Sequence, residues 1–173
     1  MFQVMGGRMR KVECMIITTL ILSTALVATV SALTAIPSFK VVAKYKGLGI
    51  TYAVLVPENT SREQLKELIL GFRNGRKDGS INKMIPPTTP KSKVGGDYNA
   101  IEIYVFSEPK WATEDKFKKW MESSLLRGED KVFDKQYVNH IKAYYLYSFP
   151  SHEEGSIGYS GEGMKSSYYE RLF

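Results

Sequence analysis

The sequence predicts an α+β domain: a two-layer sandwich in which a mixed β-sheet carries two helices on one face, in the order β-β-α-β-α-β. Three observations lead there. In PENTSREQLKELILGF, Leu65, Leu68, Ile69 and Phe72 recur at i, i+3, i+4 and i+7, which draws one apolar stripe along a helix. In AIEIYVF, Ile101, Ile103 and Val105 alternate with Glu102, Tyr104 and Phe106, the period of a strand. Residues 50–106 thus read strand, helix, strand, a right-handed crossover where the two strands are parallel. Two helices suffice to cover one face of such a sheet.

The elements follow in chain order. FKVVAKYKGLGITYAVLVP holds two β-rich runs, Lys40–Lys46 and Ile50–Val56, and the glycines of the intervening GLG permit a tight reversal or a bulge. Thr60 with Glu63, or Ser61 with Gln64, supplies a capping box for the first helix. Asn74-Gly75 tolerates positive φ and is expected to end it. INKMIPPTTPKSKVGGDYN, with its prolines, glycines and lysines, has little to bury and reads as a long loop. Thr113, Glu114 and Asp115 open a second helix, with Phe117, Trp120 and Met121 inward and Lys116, Lys118 and Lys119 outward. YVNHIKAYYLYS is the last strand, with Ile141, Ala143 and Tyr145 on one face and His140, Lys142 and Tyr144 on the other. Residues 33–150 make one domain on this reading, and the Gly/Ser-rich residues 151–173 a flexible tail or short hairpin.

Ahead of the domain, Cys14 to Phe39 runs without a charged side chain, and Arg8, Arg10 and Lys11 precede it. The run passes Val30-Ser31-Ala32, small residues at a cleavage spacing, so residues 1–32 read as an export signal that is removed. The alternative is an anchor retained over residues 15–35, which are long enough to span a bilayer. Seven Ser and Thr side chains weaken that alternative, and no Trp or Tyr marks its outer boundary. Met9 would also serve as a start, giving a compact basic segment. The expected address is periplasmic or secreted, and any membrane contact is confined to the N-terminal segment if it stays. Cys14, the single cysteine, leaves with the signal, which removes disulfides, a thiol nucleophile and cysteine zinc clusters from consideration.

Charge excludes more than it assigns. The chain is +6, and residues 1–32 carry three basic and one acidic residue, leaving +4 on the remainder. Those lysines and arginines are interspersed with acids rather than gathered beside aromatics, which speaks against nucleic acid as a partner. No cofactor is expected either.

The chemistry-bearing residues do not converge on one reaction. A small hydrolase would use either His140 as a general base or a carboxylate pair, Glu102 with Glu114 or Asp115. Glu114 and Asp115 already have a role at a helix start, however, and Glu102 alternates toward solvent. His152-Glu153-Glu154 offers ligand types whose adjacent side chains point apart, so no metal site is expected. Gly158-Tyr159-Ser160-Gly161-Glu162 misses the nucleophile elbow at its last position. Gly158 to Ser166 misses a phosphate loop by one inserted residue. Asn59-Thr60-Ser61 reads as a cap before it reads as a glycosylation site.

What remains is a surface. Tyr104, Phe106 and Tyr144 alternate outward across two neighbouring strands, flanked by His140 and Lys142, and form the expected contact face for a protein or glycan of the cell envelope. The stretch VPENTSREQLKELILGF…AIEIYVFSEPKWAT resembles small exported bacterial proteins of unassigned activity, over about residues 38–125. The resemblance rests on the capped helix and the strand after it. It implies an envelope address and carries no catalytic residue across. A non-catalytic envelope binding module is the expected function.

Overall fold

Ser61 begins the first helix because its side chain and Gln64 complete each other's hydrogen bonds. Ser61 Oγ accepts the Gln64 N–H at 3.2 Å, and Gln64 Oε1 accepts the Ser61 N–H at 2.9 Å. Of the two boxes the sequence offered, this is the one formed. The computed structural model describes residues 35–47, 50–88, 100–126, 131–161 and 163–173. Residues 1–32 and most of the proline-lysine segment lie outside them.

The strands β1 (Lys40–Lys46) and β2 (Ile50–Leu55) form an antiparallel pair with an irregularity between Val41 and Ala43. Helix α1 (Arg62–Asp78) follows. It runs past Asn74-Gly75 and ends at Gly79, whose φ of 77° gives the left-handed cap. Gly75 does not stop the helix because its missing side chain serves packing. A Cβ there would lie 3.3 Å from the Ile81 backbone and 3.1 Å from Met84 Sδ. The segment after α1 buries more than its composition suggested: a 3-10 turn at Ser80–Lys83 brings Ile81 inward, and Ile85 and Thr88 are buried with it.

Strand β3 (Ala100–Phe106) lies parallel to β2, with Val54 opposite Val105. Helices α2 (Glu114–Leu126) and α3 (Lys131–Val138) come next, then β4 (Ala143–Ser148) antiparallel to β3. The expected last strand therefore begins later than its alternation implied. Tyr137 and Val138 close α3, and Asn139 and His140 form a turn. The helix was hidden because Phe133 and Tyr137, four apart on one helical face, run straight into a sequence that alternates.

Residues 151–173 are not a tail. β5 (His152–Ile157) pairs with β4, and β6 (Ser160–Gly161) pairs with β7 (Met164–Lys165). β8 (Glu170–Arg171) then pairs with β5, giving a six-stranded, mainly antiparallel sheet in the order β1-β2-β3-β4-β5-β8. Phe173 packs on Tyr145, and the Arg73 guanidinium lies 4.0 Å over its ring. Ile36–Phe173 are thus one compact unit.

The α+β class holds, but the helices occupy opposite faces rather than one. Leu65, Leu68, Ile69 and Phe72 of α1 pack on Tyr52, Val54, Ile101, Ile103, Val105 and Tyr145. Phe117 and Trp120 of α2 and Tyr137 of α3 pack on Ala43, Ala53, Tyr104, Phe106 and Tyr144. The reason is legible in β3, which is apolar or aromatic at nearly every position, the pattern of a strand covered on both sides. Phe72 and Phe117 are both fully buried, one in each core. Phe72→Ala and Phe117→Ala should each cost about 3–5 kcal/mol in urea unfolding. A loss below ~0.5 kcal/mol for Phe117→Ala would mean the second face is not a core.

Candidate functional site

The aromatic contact face expected from the sequence is closed. Tyr104, Phe106 and Tyr144 are 3%, 0% and 5% exposed, beneath α2, α3 and Tyr159. The Tyr104 ring sits 5.6 Å from Phe117, 4.9 Å from Tyr144 and 5.7 Å from Tyr159. Their alternation does set them on the second face of the sheet, and the chain covers that face itself.

Glu102 makes the burial tolerable. Its Oε1 accepts the hydroxyls of Tyr104 and Tyr144 at 2.9 Å each, and its Oε2 accepts Thr51 Oγ1 at 2.9 Å. Burial, reinforced by the negative charge of Glu102, raises both phenols well above 10. Glu102 is therefore a hydrogen-bond acceptor for the core edge, while Glu114 and Asp115 lie exposed at the start of α2.

His140 and Lys142 do meet, on a residue the sequence did not single out. Glu108, just beyond β3, holds His140 Nδ1 at 2.9 Å and Lys142 Nζ at 3.4 Å on the same oxygen. Lys110 Nζ lies 3.6 Å from the other oxygen. The Trp111 ring stacks on His140 at 4.0 Å and 11°, and the Lys116 ammonium lies 4.4 Å over Trp111. The backbone fixes this geometry: Lys142 N–H donates to Val105 O at 2.7 Å, and Lys142 O accepts Gly158 N–H at 2.8 Å. The hydrogen bond from His140 is the main reason the Glu108 carboxyl falls below its ordinary value. Burial opposes that shift, and Lys142 adds to it. An imidazole held through Nδ1 by a carboxylate is an oriented one, the arrangement of a base with its orienting group. Thirty-two residues separate the partners, so no local pattern announced them.

A second feature lies where β2 and β3 end. These two strands are parallel, and the chain leaves β2 for α1 on one face but leaves β3 for α2 on the other. Diverging connections open a crevice at the carboxyl ends, which is where open α/β sheets seat ligands. A cavity of about 410 Å³ occupies that position, lined by Phe39, Leu55, Val56, Pro57, Ser107 and Pro109, with Ser38, Lys40 and Glu58 also on its wall. Val56 N–H donates to Phe106 O at 2.9 Å and ties its floor. The crevice was missed because it depends on topology, although the prolines just after each strand mark where pairing stops. Among the described residues, no group of three or more His, Cys, Asp or Glu could hold a metal ion.

The lowered Glu108 carboxyl sets a pH dependence. A carboxylate whose folded value lies below its unfolded value of about 4.5 stabilises the protein above that pH and stops doing so as pH falls through the folded value. Glu108→Gln should therefore be less stable than wild type near neutral pH in urea titrations, with the gap closing in strong acid. A gap that persists unchanged in acid would show that Glu108 matters through packing alone.

No family model, curated protein or solved structure matches the chain.

Proposed function

We propose that this chain is an exported, non-catalytic binding module of the cell envelope, and that the crevice at the ends of β2 and β3 seats its ligand, a protein or glycan of that compartment. The observation that carries the reading is the crevice itself. It lies at a topological switch point, and Phe39, Leu55, Val56, Pro57 and Pro109 give it apolar walls beside Ser38, Lys40, Glu58 and Ser107. The address rests on the basic residues before the Cys14–Phe39 run and on Val30-Ser31-Ala32. Among the described residues, no helix is long and apolar enough to cross a membrane. His140 and Lys142, held on Glu108 just beyond the end of β3, serve as accessory binding groups outside the crevice lining.

One observation favours a second reading, a small hydrolase. Glu108 orients the His140 imidazole, which a general base requires. Against it, the carboxylate is shared with Lys142 and Lys110, the arrangement of a surface charge network.

The test uses the full chain in mild detergent, titrated with a mixture of small apolar fragments and followed by amide chemical shifts. The reading expects shifts at Phe39, Leu55, Val56 and Ser107 in wild type and their loss in Ser38→Trp, which fills the crevice from an exposed rim position. Protein recovered from the envelope should also begin near Leu33 to Ile36. Absence of crevice shifts, together with ester hydrolysis that His140→Ala abolishes, would replace the binding module with the hydrolase.

A further inference from the structure

The crevice opens beside β1, the longer of the two strands that end the sheet among the described residues. β1 is the terminal strand, with β2 on one side and, among the described residues, no strand on the other. It is seven residues long, and Ser38, Phe39 and Lys40 at its beginning also line the crevice. An extended chain laid along β1 would meet backbone groups that no other strand among the described residues pairs and, at one end, the crevice, where Lys40 and Glu58 line the wall together with Phe39. Strand addition uses such a combination: the backbone ladder gives affinity, and pockets for alternate side chains give specificity.

Charge selects the occupant. Lys40, Lys44 and Lys46 are all exposed on this strand, and among the described residues none of them is in an ion pair. Pairing with a second copy of the chain would set these lysines against their own counterparts, and like charges facing across strands are destabilising. An acidic segment meets the opposite condition. Lysines on an edge also protect a sheet from unwanted pairing, so the two roles must be separated by experiment.

We infer that β1 accepts an extended acidic segment of a partner protein as an added strand, with one apolar side chain of that segment lodged in the crevice. This rests on the reading of the crevice as a binding site. The ladder along β1 orders the segment, the lysines select its charge, and Phe39, Leu55, Val56 and Pro57 take its side chain.

The probe is a blocked peptide, Glu-Val-Glu-Leu-Glu-Val, titrated into the full chain at low salt and followed by amide shifts. Its counterpart, Lys-Val-Lys-Leu-Lys-Val, is the control. The acidic peptide should shift the amides of Phe39 to Lys46 and of Val56, and the basic peptide should not. Lys44→Glu with Lys46→Glu should weaken binding about tenfold, from two lost surface attractions. The neutral pair Lys44→Gln with Lys46→Gln should fall between, which guards against a folding defect in the reversed variant. Equal binding of both peptides, no binding of the acidic one, or concentration-dependent β1 shifts in peptide-free protein would each overturn the inference. Should apolar fragments still shift the crevice residues while the acidic peptide does not bind, strand addition fails and the crevice stands. Should both fail, the crevice reading falls as well.

Discussion

Everything in this domain hangs on β3 being buried on both faces. Ile101, Ile103 and Val105 enter the α1 core and are 0% exposed, while Tyr104 and Phe106 enter the α2–α3 core at 3% and 0%. Each side chain taken from water there contributes roughly 1.5–3 kcal/mol. It also lies inside the sheet, pairing with β2 in parallel on one side and with β4 antiparallel on the other. The switch point follows directly. Because β3 hands the chain to the face opposite α1, its carboxyl end parts from that of β2 and the crevice opens between them.

The two cores are closed by different means. On the α1 side, charged groups stitch the periphery. Glu153 accepts Arg76 at 2.9 Å, Arg73 at 3.2 Å and the Tyr145 hydroxyl at 2.9 Å, and Glu170 pairs with Arg62 and Lys66. Burial pushes the Glu153 carboxyl up, but the bonds from Arg76, Tyr145 and Arg73 outweigh it and leave it below its ordinary value. On the α2–α3 side aromatic rings do the work, with Trp120 stacked on Tyr137 at 5.5 Å and edge-on to Tyr159 at 5.6 Å. There Glu102 accepts the Tyr104 and Tyr144 hydroxyls at the core edge, while the Trp120 indole N–H and the Tyr137 hydroxyl lie buried without a hydrogen-bond partner among the described residues.

How much of this was legible in the sequence depends on range. The α1 stripe, its cap and the inward set Phe117, Trp120 and Met121 are local patterns, and they were readable because hydrophobic periodicity acts within a few turns. The side of the sheet on which α2 lies was not, since alternation in β3 shows two faces without saying what covers the second. Tyr104 and Tyr144 looked outward for that reason. Residues 151–173 mislead through composition: Gly and Ser suggest freedom, while the segment is held by the buried Ile157 and Tyr159 and by the partly buried Phe173 at its far end. His140 and Lys142 were picked out as polar neighbours of an aromatic face. Their actual partner, Glu108, is joined to them only by the pairing of β3 with β4.

Native-state hydrogen exchange tests most directly whether β3 serves both cores at once. The amides of Ile101 to Phe106 should exchange only through global unfolding, and the buried amides of α1 and α2 should reach the same free energy, because neither helix layer keeps a core without β3. Exchange of α2 and α3 at a distinctly lower free energy, with β3 and α1 still protected, would contradict this. It would mean that the second layer is a detachable cover over an otherwise complete two-layer fold.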